Sequence, residues 1–280
     1  MTTVLIGGTG TLGKCLLERL TARGMDVTVF SRGEHAQKTL SRAYPQARFV
    51  IGDVRDAQAV RDVTRGADTV YLLAAIKHVD VAQKNPLEAI KTNVLGAMNV
   101  GEACIANGVS WLVYSNTDKA VLPITTYGYS KALARDYVMH LANKLNVQLF
   151  SWGNICGSQG SVVPLIASSI RRGDPVEVTD PRMTRFWLKI EDAADFMLSK
   201  VAPGDYLPPV RGAALLRVVE SVARVLNVPY RVKFTGIRGV EKLHECLEST
   251  HDHCLRSDTC EQYTDEELDE MVRPIVEASA

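Results

Sequence analysis

Val4-Leu5-Ile6-Gly7-Gly8-Thr9-Gly10-Thr11-Leu12-Gly13 joins a short apolar run to an amphipathic stretch, Leu12–Arg23, through Gly7, Gly10 and Gly13 in the spacing Gly-x-x-Gly-x-x-Gly. The apolar run predicts a strand and the stretch after it a helix. Glycines at that junction allow a tight turn and a close backbone approach, and the helix start turns its N–H groups toward a pyrophosphate. A strand before and a helix after are the context that makes this spacing a dinucleotide-binding fingerprint.

Working outward, Val27–Phe30, Phe49–Ile51, Thr69–Leu73, Leu112–Tyr114 and Gln148–Ser151 read as further strands, rich in β-branched residues and apolar on both faces. Such strands belong in a parallel sheet covered on both sides. Ala57–Thr64, Pro86–Asn107 and Tyr127–Asn146 carry helical spacing between them. Repeated βαβ units predict an α/β, doubly wound parallel sheet over residues 1–152. After Gly153 the elements shorten and Gly and Pro become frequent, so residues 153–280 are expected to form mainly a small substrate-binding lobe that returns a strand or helix to the first domain. Thr264 and Glu267 have the spacing of a capping box for a last helix.

Lys+Arg and Asp+Glu both number 32, so nothing in the net charge attracts a nucleic acid polymer or an anionic membrane, and any phosphate site must be local. No apolar run approaches the ~20 residues needed to span a bilayer. The protein is expected to be cytoplasmic. Six dispersed cysteines without a Cys-x-x-Cys pair predict free thiols. Cys246…His251-Asp252-His253-Cys254…Cys260 offers zinc-type ligands, but the spacing fits no familiar finger and no metal is expected.

Where an NAD-selective site places an acid at the end of the second strand, this chain has Ser31-Arg32. An arginine pairs with a 2′-phosphate, which favours NADP over NAD; the alternative is a solvated loop charge. Asp53 is placed to accept from an adenine amino group or simply to form a turn. Tyr127-Gly128-Tyr129-Ser130-Lys131 sets Tyr127 and Lys131 on one helical face, where the ammonium favours a phenolate and readies it as general base. A packed tyrosine with a surface lysine is the plainer reading. Thr117-Asp118-Lys119, just beyond a strand, brings a hydroxyl, an acid and an amine together, as elimination next to a ketone requires; a Thr-Asp turn reads equally well.

Colinear blocks now carry a resemblance. Ser31-Arg32…Glu34…Gln37, Ile51-Gly52-Asp53-Val54-Arg55-Asp56, Ala74-Ala75-Ile76-Lys77-His78-Val79, Thr92-Asn93-Val94, Thr117-Asp118-Lys119-Ala120…Tyr127-Gly128…Ser130-Lys131, Gly153-Asn154, Gly160-Ser161-Val162, Met183-Thr184-Arg185-Phe186-Trp187 and Glu241-Lys242-Leu243-His244-Glu245 lie in one order. They resemble the UDP-N-acetylglucosamine 4,6-dehydratase family, a branch of the extended short-chain dehydrogenases. The resemblance implies that Thr117, Asp118, Lys119, Tyr127 and Lys131 are catalytic. It implies that Gly7, Thr9, Gly10, Thr11, Leu12, Gly13, Ser31, Arg32, Asp53, Val54, Ala74, Ala75, Lys77, Asn93, Tyr127, Lys131 and Asn154 hold NADP. It implies that Lys77, His78, Asn154, Ser161, Val162, Arg185, Arg238 and Glu241 hold a UDP-sugar, the arginines on the pyrophosphate and Glu241 on a ribose. Relatives oligomerise, so a homo-oligomer is expected.

The chain departs from the family pattern at Gly239-Val240, where Pro-Gly is usual, at Asn116, where serine is usual, and in a shortened segment after Glu245. Two other readings stay open: a sugar-nucleotide epimerase using the same tyrosine and cofactor, and a non-catalytic NADP-binding sensor.

Overall fold

A computed structural model describes residues 1–158, 160–249 and 254–278. In chain order it contains β1 (Thr2–Ile6), α1 (Thr11–Ala22), β2 (Asp26–Ser31), α2 (Glu34–Ala43), β3 (Arg48–Ile51), α3 (Ala57–Val63), β4 (Thr69–Leu72), α4 (Val79–Lys84) and α5 (Pro86–Ala89). A π-helical turn, Ile90–Leu95, leads into α6 (Gly96–Ala106), followed by β5 (Trp111–Thr117), α7 (Thr126–His140), β6 (Asn146–Trp152), β7 (Asn154–Cys156), α8 (Val162–Arg171) and β8 (Val176–Val178). The remainder is β9 (Thr184–Lys189), α9 (Ile190–Ser199), β10 (Gly204–Tyr206), β11 (Arg211–Ala214), α10 (Leu215–Leu226), β12 (Val232–Phe234), β13 (Cys246–Ser249), β14 (Cys254–Arg256) and α11 (Asp265–Ala278).

The chain divides into two compact units. The first is Met1–Ser151 with Ala194–Tyr206. Its seven-stranded sheet runs β10-β6-β5-β4-β1-β2-β3, parallel at β1–β2, β1–β4, β2–β3, β4–β5 and β6–β10. Helices cover both faces, which is why Val4, Ile6, Val70, Leu72, Leu112, Tyr114 and Leu149 form one core with Val100, Ala134 and Val138. Strand order reverses between β1 and β4, and the crevice at the carboxyl ends of those two strands is where an open sheet of this kind binds ligands. Gln148 donates to the Lys200 and Ala202 carbonyls and Arg135 pairs with Asp205, which ties the returning segment beside β6.

The second unit is Trp152–Ala193 with Leu207–Ala280. A three-stranded sheet, β11-β9-β7, and the pair β12-β8 pack with α8, α10 and α11 around Ile166, Ile170, Trp187, Val218, Val222, Leu268 and Met271; β13 and β14 form a separate antiparallel pair. Val218, Val219 and Val222 are buried on α10 because they recur at helical spacing. The capping box at the head of α11 forms as the spacing predicts: Glu267 N–H donates to Thr264 Oγ1 at 3.2 Å and Thr264 N–H to Glu267 Oε2 at 2.9 Å.

The reading of six free thiols is corrected. Cys246 and Cys254 are bonded across the β13–β14 hairpin, with Cα atoms 6.5 Å apart; among the described residues Cys15, Cys104, Cys156 and Cys260 form no disulfide. Strand pairing brings the two together, a proximity that sequence spacing alone cannot reveal. His251, Asp252 and His253 lie outside the described residues. Among the described residues no helix is long and apolar enough to cross a membrane, and no group of three or more His, Cys, Asp or Glu is arranged to hold a metal ion.

Candidate active site

The glycine fingerprint lies at the switch point. Gly7 adopts φ +88°, a left-handed conformation, and a Cβ there would stand 2.6 Å from the Ala74 nitrogen at the end of β4. A Cβ on Gly13 would stand 2.6 Å from Gly8 Cα, so α1 can start against the turn only without one. Gly10 is the N-cap of α1, no side chain caps the helix, and its first turn holds no acid. The uncapped start presents N–H groups and the positive end of the helix dipole, a donor set that fits a pyrophosphate. Thr9, Thr11 and Leu12 line this turn half-buried.

At the ends of β2 and β3, Gln37 donates to the Ser31 and Val50 carbonyls at 2.8 Å and to Ser31 Oγ at 3.0 Å. It fixes the place from which Arg32 extends, 59% exposed. Asp53 takes the turn-forming role: Oδ1 accepts from the Arg55 N–H at 3.0 Å and Oδ2 from Arg55 Nε at 2.9 Å. The bonds from Arg55 hold the Asp53 carboxyl below its usual range against the opposing effect of burial. Val54 next to it is buried in the sheet core.

Asn93 is buried on the π-helical turn. Its Oδ1 accepts from the Ile76 N–H at 2.8 Å, and its amide donates to the Ile76 carbonyl at 3.1 Å and to Ser130 Oγ at 2.9 Å. Both amide protons are thus committed to the protein. Asn93 thereby staples the segment after β4, which carries Ala74, Ala75, Lys77 and His78, to α7. Desolvation lowers the Lys77 ammonium below the ordinary lysine value, and His78 is the N-cap residue of α4.

Thr117, Asp118 and Lys119 come together at the carboxyl end of β5. Thr117 Oγ1 donates to Asp118 Oδ1 at 3.0 Å and caps the following 3₁₀ turn by accepting from the Lys119 N–H at 3.4 Å. Lys119 Nζ donates to the same Asp118 oxygen at 3.0 Å; the acid side chain is fully buried and the lysine 24% exposed. The start of α7 meets this turn directly. A Cβ on Gly128 would lie 2.4 Å from the Lys119 carbonyl oxygen, so the glycine lets the Tyr127 turn approach the Asp118-Lys119 turn. Thr125 caps α7 by accepting from the Gly128 N–H at 3.1 Å. Tyr127 is buried against Ala82, Ala89, Ile76 and Val79.

Lys131, one helical turn on, is buried, donates to the Ser115 carbonyl at 2.7 Å and sits 4.1 Å above the Tyr114 ring. Desolvation brings its pKa down from 10.5 to about 7. Burial pushes the Tyr114 hydroxyl the other way, well above 10, and that hydroxyl has no hydrogen-bond partner. Asn116, in place of the usual serine, donates from Nδ2 to Ser151 Oγ at 3.3 Å.

In the second unit, Asn154 lies on β7 beside Trp187 of β9. Ser161 is the N-cap residue of α8, its hydroxyl buried without a hydrogen-bond partner among the described residues, and Val162 begins the helix. Arg185 on β9 is buried: NH1 donates to the Thr184 carbonyl at 2.6 Å and the Leu243 carbonyl at 3.2 Å, and Nε lies 3.9 Å from Glu245 Oε1. Glu245 is itself buried, with Lys242 Nζ 3.5 Å from its other oxygen. Sequence reasoning gave Glu245 no role, although its family block named it; its acid is the counter-charge a buried arginine needs. Thr184 Oγ1 joins His244 Nδ1 at 2.8 Å to Ser257 Oγ at 2.7 Å. Burial is the largest influence lowering the His244 imidazole.

Arg238 and Glu241, expected on a pyrophosphate and a ribose, pair with each other at 2.7 Å across the turn through Gly239-Val240. Arg172 and Arg182 are exposed and paired with Asp174 and Asp180, and Arg171 donates to the Val276 carbonyl.

This arrangement, a glycine turn at the switch point of a 3-2-1-4-5-6-type sheet with Tyr127-x-x-x-Lys131 on α7, defines a Rossmann-fold extended short-chain dehydrogenase/reductase. Residues 3–266 match the family described as polysaccharide biosynthesis protein. The chain is 37% identical to the inverting UDP-N-acetylglucosamine 4,6-dehydratase of Campylobacter jejuni, covering 90% of this chain and 78% of that one. It is 33% identical to a UDP-glucose 4-epimerase of Rickettsia canadensis, covering 94% and 82%. The X-ray structure of Pen from Bacillus thuringiensis superimposes with a TM-score of 0.91 at 27% identity, covering 98% and 97%. The chain belongs to the polysaccharide biosynthesis protein family.

Proposed function

We propose that the protein is an NADP-dependent 4,6-dehydratase, a hydro-lyase, of a UDP-N-acetylhexosamine, UDP-N-acetylglucosamine first among them. The observation that carries this reading is the hydrogen-bonded Thr117-Asp118-Lys119 cluster held against the Tyr127 turn by Gly128. An epimerase needs only the tyrosine and the cofactor; a paired acid and amine at the same strand end add what loss of water requires.

The uncapped start of α1 would hold the cofactor pyrophosphate, Arg32 a 2′-phosphate, and Asp53, Val54, Ala74, Ala75 and Lys77 its adenosine and nicotinamide halves. When bound, NADP+ would supply a hydride acceptor for carbon 4 of the sugar and, once so reduced, a hydride donor for carbon 6. Tyr127 takes the proton of the 4-hydroxyl, with Thr117 as hydrogen-bonding partner and Lys131, partly charged near neutral pH with its pKa at about 7, favouring the phenolate in its protonated form. The carbon-4 ketone acidifies carbon 5. Lys119 removes that proton, Asp118 gives one to the departing 6-hydroxyl, and water leaves from carbons 5 and 6. When carbon 6 receives its hydride, Lys119 returns a proton to carbon 5 and is again the free amine. Asp118 regains a proton, and Tyr127 gives up the one it took, through solvent, which leaves the Asp118–Lys119 pair at its 3.0 Å contact ready for the next turnover. In the second unit, Asn154, Ser161, Val162 and Arg185 would bind the sugar nucleotide, with the Arg238–Glu241 pair opening toward phosphate and ribose.

A cytoplasmic location suits a substrate made from cellular UDP-sugars. A second copy of the chain is the expected partner, because Leu87, Leu95, Tyr129 and Leu133 stand 46–60% exposed on the helices of the first unit. Sedimentation that gave only monomers would remove the oligomer from this account.

Mass spectrometry after incubation with UDP-N-acetylglucosamine tests the reaction. Loss of one water from the sugar nucleotide, abolished by Asp118→Asn and Lys119→Ala, is expected. A product of unchanged mass but altered configuration would establish an epimerase, and bound cofactor without turnover a sensor.

A further inference from the structure

We propose that Arg55 sets the preference for a 2′-phosphorylated cofactor without touching it, by neutralising Asp53 and so releasing Arg32 for the phosphate. The proposal rests on the NADP reading above.

Arg32 and Arg55 converge on one carboxylate oxygen. Asp53 Oδ2 lies 2.5 Å from Arg55 NH2 and 3.9 Å from Arg32 NH1. Arg55 adds its Nε at 2.9 Å to the same oxygen and its backbone N–H at 3.0 Å to the other, so one residue covers both oxygens. Arg55 is held in that pose from behind by Glu88, which in turn accepts from Lys91 at 3.2 Å. Arg32, by contrast, makes only the long contact among the described residues and is 59% exposed.

A bare carboxylate at this position works against a 2′-phosphate twice. It repels the dianion, and it competes for the guanidinium that should grip it. With Arg55 in place the Asp53 charge is already satisfied, and Arg32 stays at the edge of the pair. Without Arg55, Asp53 would draw Arg32 in from 3.9 Å to a full ion pair and present its second oxygen to the phosphate. NAD, which lacks the phosphate, would be indifferent to the change.

The test is calorimetric titration of NADP+ and NAD+ into the full-length, cofactor-stripped protein and three variants. Wild type is expected to favour NADP+; Arg55→Ala is expected to lower that preference about tenfold, the scale of one charge-assisted contact, with NAD+ affinity unchanged. The double variant Asp53→Asn/Arg55→Ala is expected to recover the preference, and Asp53→Asn alone to keep it. The thermal-unfolding midpoint reports that each variant is folded, and the preference is read as the ratio of the NADP+ and NAD+ affinities, which cancels any loss of adenosine contact at Asp53 common to both. If Arg55→Ala is not folded, Arg55→Gln, which loses the charge but keeps the stem, takes its place. Wild type without a preference for NADP+ would overturn the cofactor reading itself. A wild-type preference that survives loss of Arg55 would overturn only the role given to Arg55. A lost preference that Asp53→Asn does not recover would mean that Arg55 grips the phosphate directly, and overturns the proposal as well.

Discussion

Lys131 makes the stability of the cofactor-free protein depend on pH in a way that one substitution removes. Burial brings its pKa from 10.5 to about 7. Between those values the folded chain holds the amine neutral while the unfolded chain holds it charged, so the unfolded state binds one more proton. Stability therefore rises with pH across that window, by at most about 1.4 kcal/mol per unit from this site. The full contribution is present above pH 10.5 and is lost as pH falls to about 7. From pH 7.5 to pH 9 the gain is about 2 kcal/mol. Lys131→Met keeps the length of the stem and has no charge to lose. Urea unfolding of both proteins at the two pH values, with the pH response of the variant subtracted from that of wild type, cancels the titrations they share. A difference of about 2 kcal/mol, with wild type gaining the more on going alkaline, is expected. Identical responses would refute the reasoning, because they would mean that Lys131 stays charged in the fold, sustained by the Ser115 carbonyl and the Tyr114 ring.

Two further substitutions probe the placement of the site. Gly128→Ala puts a Cβ 2.4 Å from the Lys119 carbonyl and must separate the two turns, costing roughly 1–3 kcal/mol in thermal or urea unfolding and more than tenfold in kcat; a variant of wild-type rate would show that the two turns need not touch. Glu245→Gln leaves Arg185 buried without its counter-charge, at a cost of about 1–3 kcal/mol, and is expected to raise KM for the sugar nucleotide more than it lowers kcat. An unchanged KM with unchanged stability would remove Glu245 from the account of Arg185.

Much of the fold is legible in the sequence because the sheet is covered on both faces. Val4-Leu5-Ile6, Val27–Phe30 and Thr69–Leu72 can be nothing but buried strands, and the glycines after the first can serve only a turn that tolerates no Cβ. What escapes lies where tertiary contact overrides local signal. β10 is three residues, Gly204-Asp205-Tyr206, with no apolar run, and it is a strand only because β6 offers an edge. β5 continues through Ser115, Asn116 and Thr117, polar residues that read as a loop, and so carries the acid and amine on a firmer base than expected. One helix expected over Pro86–Asn107 is interrupted by the π-helical turn that presents Asn93, a shift of register that periodicity does not show. α2, short and strongly polar, goes unread, yet its Gln37 fixes Ser31. For the site, sequence spacing alone puts Tyr127 and Lys131 on one face and Thr117, Asp118 and Lys119 in a row. The contact between the two groups rests on Gly128 and is visible only in three dimensions. Likewise Glu245, Arg55 and the Arg238–Glu241 pair are charges whose partners sequence cannot choose.

Proton NMR in deuterated water with UDP-N-acetylglucosamine tests the central claim most directly, because it follows both the hydride and the proton assigned to Lys119. The account predicts a new 6-methyl signal that keeps the hydrogen from carbon 4 and carries deuterium at carbon 5. A sugar that changes configuration at carbon 4 and keeps its 6-hydroxyl, or deuterium absent from carbon 5 of a 6-deoxy product, would contradict it.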